Sequence, residues 1–131
     1  MANRLKAINL YRPQIALGQT VQAAELARYL ADRTGLNQGE VTMMLIELRD
    51  ALIFFNRAGR GVKLEGLGTY LPNIQLDGGF DVQHRLDPAI KDGLNAPGTF
   101  TGVITNRQHI GKTADELVAL WNAEHPDDPV A

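Results

Sequence analysis

NQGEVTMMLIELRDALIFFNRAGRGVKLEGLG, residues 37–68, is the stretch from which the fold can be read. It divides into a long apolar helix, a glycine stop and a short strand that turns at Gly66-Leu67-Gly68. Asn37 is placed to cap the helix and Glu40 follows three residues on, the capping-box spacing that satisfies orphan N–H groups of the first turn. Val41, Met44, Leu45, Leu48, Leu52 and Phe55 then recur at helical spacing. Met43, Ile46, Ile53 and Phe54 fall off that stripe, so much of the circumference is apolar. A helix apolar nearly all round is buried on more than one side. In a chain of 131 residues the readiest second cover is another copy of itself, which makes Met44, Leu45, Leu48, Leu52, Phe54 and Phe55 the expected dimer interface.

The rest of the composition narrows the class. A chain of 131 residues suits one domain with a core of its own. It has no cysteine, which excludes disulfides, thiol catalysis and the common zinc frameworks. Met1 to Gln14 carries Arg4, Lys6 and Arg12 among scattered apolar residues, with neither a signal-peptide core nor a membrane span, so a soluble cytoplasmic protein is expected. The formal net charge of -2 argues against a strongly basic nucleic-acid binder. That average conceals a gradient: residues 1–70 hold nine Lys/Arg and six Asp/Glu, whereas residues 71–131 hold four and nine. Any electropositive surface is therefore expected from the first half.

On the N-terminal side of the long helix, Thr20 is the expected cap of a helix through Thr34, with Val21, Ala24, Leu26, Ala27, Leu30 and Ala31 as its apolar face and Gly35 as its stop. Before it, Ile8 and Leu10 near Pro13 are compatible with an edge strand, and Gln14 to Gln19 reads as a second extended piece. On the C-terminal side, Gly59 is the natural left-handed cap of the long helix. Val62 to Leu64 and Thr69 to Leu76 read as strands around the glycine turn, and Asp77-Gly78-Gly79 as a tight hairpin. The returning strand, Phe80 to Leu86, puts Phe80, Val82, His84 and Leu86 on one face and Asp81, Gln83 and Arg85 on the other. Asp87-Pro88 opens a short helix to Leu94. A strand is expected over Phe100 to Ile104, and Thr113 with Glu116 caps a last helix whose apolar face is Leu117, Val118, Leu120 and Trp121.

Three of these pieces, LARYLADRTGLNQGEV (26–41), VKLEGLGTY (62–70) and LDPAIKDGLN (86–95), resemble the HU/IHF family of bacterial histone-like proteins, in which a Gly-Phe-Gly-Thr-Phe turn joins the first two strands. The resemblance spans about Thr20 to Asn95 and, with the N-terminal segment, is similar to the divergent HU-like branch that carries added segments. It implies an α+β fold in which two helices, a three-stranded antiparallel sheet and a short helix form an intertwined homodimer whose two sheets make a saddle. The added C-terminal helix lies outside it. The organisation expected is an N-terminal extended segment over 1–19, an HU-like domain over 20–95 and a C-terminal extension over 96–131.

The resemblance also implies DNA binding, in which family members reach along the minor groove with two basic arms and kink the duplex with a proline wedge. This chain departs from that pattern. The arm would lie between Leu76 and Phe80, where only Asp77-Gly78-Gly79 stands, so the wedge has no counterpart. The expected DNA contacts are Arg60 and Lys63 before the glycine turn, His84 and Arg85 on the last strand, and Lys91 on the short helix, each weighed against simple solvated charge. No Gly-x-Ser-x-Gly, HExxH or three-glycine phosphate loop is present, and the three histidines are far apart in sequence, so no enzyme, no metal site and no cofactor is expected. From Thr113 onward there are five Asp/Glu and no Lys/Arg, which would repel DNA from the same side. Two functions follow: a weak, non-sequence-specific architectural DNA-binding homodimer of the bacterial nucleoid, or an HU-fold dimer serving as a structural or protein-interaction module, with the C-terminal extension as a docking point for a protein partner.

Overall fold

In a computed structural model that describes residues 1–131, the chain is α+β. The elements in order are α1 (Arg4–Tyr11), β1 (Gln14–Ala16), α2 (Ala23–Thr34), α3 (Gln38–Arg57), β2 (Val62–Leu64), β3 (Gly68–Ile74), β4 (Phe80–Leu86), α4 (Pro88–Leu94), β5 (Val103–Thr105), a 3-10 turn at Arg107–His109, and α5 (Ala114–Glu124). They form two compact units, one of Thr20–Phe100 and one of Met1–Gln19 with Thr101–Ala131.

The unit of Thr20–Phe100 holds the helix, long helix, three-stranded hairpin sheet and short helix that the resemblance implies. α2 ends at Gly35, whose φ of 78° lets its N–H return to the Ala31 carbonyl at 3.1 Å. Its start differs from expectation: Thr20 lies outside the helix and Gln22 is the capping position, with no side-chain bond, because the first helical hydrogen bond runs from Leu26 N to Gln22 O. α3 begins as expected. The Asn37 carboxamide oxygen accepts from Glu40 N at 2.8 Å, while the Glu40 carboxylate accepts from the Asn37 amide rather than from the cap's backbone, a variant of the capping box.

After α3, Gly59 takes a φ of 76° and the chain turns into β2. Leu67 N donates to Leu64 O at 3.0 Å, with Gly66 at φ 80° supplying the positive dihedral that the third residue of such a turn requires. The turn fixes an antiparallel register, Val62 opposite Tyr70 and Lys63 opposite Thr69. β3 then pairs with β4 from Gly68–Leu86 to Ile74–Phe80, in the sheet order β2-β3-β4. Pro72 sits where β3 has run past the end of β2. Asp77 closes the β3–β4 hairpin by accepting from Gly79 N at 2.8 Å.

Both terminal segments contribute to the other unit. Residues 4–11 are helical and not an edge strand: Asn3 caps α1 by accepting from Lys6 N at 2.7 Å, and Ala7 and Tyr11, one helical turn apart, are buried against Leu117 and Trp121 of α5. The broken alternation before Pro13 is therefore the trace of an i, i+4 pair. β1 pairs antiparallel with β5, Ile15 opposite Ile104. That strand covers Val103–Thr105 and not Phe100–Ile104, because its three-residue partner ends at Ala16, two residues before Gly18. Thr113 caps α5 through Glu116 N, and the tail folds back so that Trp121 Nε1 donates to Asp128 O at 2.7 Å.

Candidate nucleic-acid interface

Strand alternation gives the three-stranded sheet two unlike faces. Tyr70, Pro72, Phe80 and Val82 turn toward α3 and, with Leu52, Ile53 and Asn56, line a cleft of about 580 Å³. The other face carries Lys63, Thr69 and Arg85 in one cross-strand row, then Leu71 opposite Gln83, then Asn73 opposite Asp81. Charge along it runs from cationic beside the glycine turn to acidic beside the hairpin. The cationic row is what a phosphate backbone needs: two long flexible cations flanking a hydroxyl donor. Lys63 Nζ is 3.7 Å from the Glu65 carboxylate, and both side chains are exposed, so the pair leaves the ammonium open to exchange for another anion.

Gly68 makes this register possible. A Cβ there would come within 2.5 Å of the Arg85 carbonyl oxygen and 2.6 Å of the His84 ring, so β4 can lie this close only against glycine. The His84 ring is tilted over Tyr70 with centroids 4.7 Å apart. That places His84 on the α3 side of the sheet, opposite to Lys63 and Arg85, and it does not join them.

The remaining expected contacts are separated from the row. Arg60, on the loop after α3, holds its guanidinium 5.4 Å from the centre of the Phe55 ring, in cation–π contact. Lys91 is exposed on α4. Of the five expected contact residues, the sheet thus brings Lys63 and Arg85 together and sets the other three elsewhere. Thr69 and Gln83 share their face; alternation already sets Gln83 beside Arg85, and the register of the glycine turn is the signal that places Thr69 opposite Lys63.

Along α3, the residues expected to meet a second copy fall into two groups. Leu45, Leu48 and Leu52 are partly covered within the unit, whereas Met44 is 61 % exposed and Phe54 68 % exposed, with Phe55 meeting Phe54 edge-on at 5.3 Å between centroids. Only Ala27, Val41 and Gly68 are buried in this unit, a small core for helices packed on a sheet.

The other two histidines lie in the terminal unit, each bound locally. His109 Nδ1 is 2.6 Å from Tyr11 O, and His125 stacks on the Trp121 indole at 3.8 Å. The Tyr11 hydroxyl donates to the Glu124 carboxylate. That bond, then burial and the neighbouring negative charge, push the Tyr11 phenol up to about 12. No helix is long and apolar enough to cross a membrane.

Residues 4–87, well over half the chain, match the family model HU-HIG, described as an HU domain fused to wHTH, Ig, or glycine-rich motif. No curated protein matches the chain.

Proposed function

The chain belongs to the HU-HIG family, and we propose that it is a non-enzymatic architectural DNA-binding protein of the bacterial nucleoid, acting as a homodimer and binding duplex weakly and without sequence preference. The observation that carries this reading is the Lys63–Thr69–Arg85 row on the sheet face turned away from α3. Two copies of the row on a two-fold dimer would set cations along one saddle, where phosphate contacts supply affinity without reading bases. The exposed Met44, Phe54 and Phe55 supply the apolar surface for the dimer. Weakness follows from the short hairpin: Asp77-Gly78-Gly79 leaves no arm to reach around the duplex, and Asp81 lies at that end of the face.

Titration of a fluorescently labelled duplex with the full chain at low salt tests the function. Saturable binding that weakens steeply as salt is added is expected, and no binding at low ionic strength would overturn it. The second reading, an HU-fold dimer acting as a structural or protein-interaction module, is favoured by the acid at the hairpin end and the net charge of -2. A stable dimer in sedimentation together with no duplex affinity would select it.

A further inference from the structure

We propose that the unit built from the two chain ends carries a second phosphate-binding surface for duplex DNA, made by Arg12, Arg107 and Lys112. This inference rests on the DNA-binding reading above but uses none of its residues. By formal count the unit is neutral, with five Lys/Arg and five Asp/Glu in residues 1–19 and 101–131. The count is misleading because the charges are not equally engaged. Asp115 accepts from Arg4 at 2.6 Å, Asp128 lies 3.6 Å from the N-terminal ammonium, and Glu124 accepts from Tyr11. Of the cations, Arg4 is in an ion pair and Lys6 lies over the Trp121 ring at 5.4 Å. Arg12, Arg107 and Lys112 are exposed and in no ion pair; the carboxylates left without a cation or hydroxyl partner are Glu116 and Asp127.

The segments that carry the three free cations are tied together by side-chain bonds from the 106–112 loop to the backbone at the end of α1. Asn106, the only non-glycine residue with a positive φ (54°), donates from its carboxamide to Leu10 O at 2.9 Å and Arg12 O at 3.1 Å. A non-glycine residue in that conformation has to be held there by its surroundings. His109 Nδ1 contacts Tyr11 O at 2.6 Å, and Lys112 N donates to His109 O at 3.1 Å. The loop 106–112 is thereby fastened to the C-terminal end of α1. The same bonds remove what would repel an anion, since a helix C-terminus presents unpaired carbonyls and a partial negative charge. Here the Leu10 and Arg12 carbonyls accept from the Asn106 carboxamide, and the Tyr11 carbonyl is met by His109 Nδ1. The charged side chains that the 106–112 loop and the end of α1 leave exposed are Arg12, Arg107 and Lys112. Surface arginines and a lysine with no base-reading geometry suit the phosphate backbone of a duplex, not a particular sequence.

The test is the salt dependence of duplex binding by full-length variants, read as the slope of log affinity against log salt. R12Q/R107Q/K112Q is expected to flatten the slope by roughly 2 to 3, since each phosphate contact contributes about 0.9. R12K/R107K/K112R is expected to restore it. Unchanged Trp121 emission would show the triple variant folded, and Arg107→Glu alone, whose backbone bonds are untouched, is expected to weaken binding by itself. A wild-type slope in the glutamine triple variant, alongside a flattened slope in K63Q/R85Q, would overturn this second surface and leave the sheet reading standing. The converse pattern would support the second surface and overturn the sheet. No binding by the wild-type chain at low salt would overturn both.

Discussion

At Gly68 the backbone of β4 comes so close that only a hydrogen can face it, and the register of the whole sheet face depends on that approach. Gly68→Ala is expected to force apart the Arg85 carbonyl and the His84 ring, which would lie 2.5 and 2.6 Å from the new methyl. A cost of about 1–3 kcal/mol is expected from such overpacking. Urea denaturation would measure it against Gly18→Ala, where a Cβ meets nothing within 4 Å. Tyr11 offers a second test at this scale. Its phenol is held protonated by donating to Glu124, so its pKa is raised to about 12 from the ordinary 10.0. A group whose folded pKa lies above its unfolded value stabilises the fold fully below the unfolded value, and that contribution is lost as pH rises through the folded one. Stability conferred by Tyr11 should therefore be constant up to about pH 10 and fade toward pH 12. In an ultraviolet titration, Tyr11→Phe is expected to remove an ionisation step that appears well above pH 10.

The pairing of α1 with α5 joins segments about a hundred residues apart, and it explains why the N-terminal stretch does not read as a helix from its local pattern. Only Ala7 and Tyr11 of α1 are buried, and Leu5 and Leu10 are exposed, so its apolar residues do not line one helical face. The partner that gives Ala7 and Tyr11 their role is Leu117 and Trp121, which no local pattern could announce. By contrast, α3, the Gly66 turn and the Asp77 hairpin were legible because their determinants lie within a few residues: Asn37 caps through Glu40, Gly66 sits in its own turn, and Asp77 binds Gly79. The site was legible by halves. Alternation alone puts Arg85 and His84 on opposite faces, although charge points to both as contacts; what needs the register is the grouping of Lys63 with Arg85 across Thr69. At the scale of the element, Ala7→Asp is expected to place an unpaired charge where the side chain is fully buried, at a cost of several kcal/mol. Because Trp121 is the sole tryptophan, a red shift of its emission would report α1 leaving α5.

For the molecule as a whole, the exposed apolar surface of α3 and the sheet is the feature that most needs a partner. Met44 and Phe54 are largely exposed in the single chain, and Phe80, beside the cleft lined by Leu52 and Ile53, is 86 % exposed. Surface of this kind marks an interface in a protein that remains in solution. Sedimentation is expected to find a dimer at micromolar concentration, and Phe54→Asp to shift it to monomer; a wild-type monomer would contradict the interface. In the proposed dimer, two rows of Lys63, Thr69 and Arg85 would present four cations to one duplex, so that individually weak contacts would add. The most direct test is a set of backbone amide NMR spectra of the chain recorded as duplex DNA is added at low salt. Shifts centred on Lys63, Thr69 and Arg85, reversed by salt, are the predicted result. Spectra in which these three amides stay fixed while DNA is bound elsewhere, or in which no amide moves at all, would contradict it.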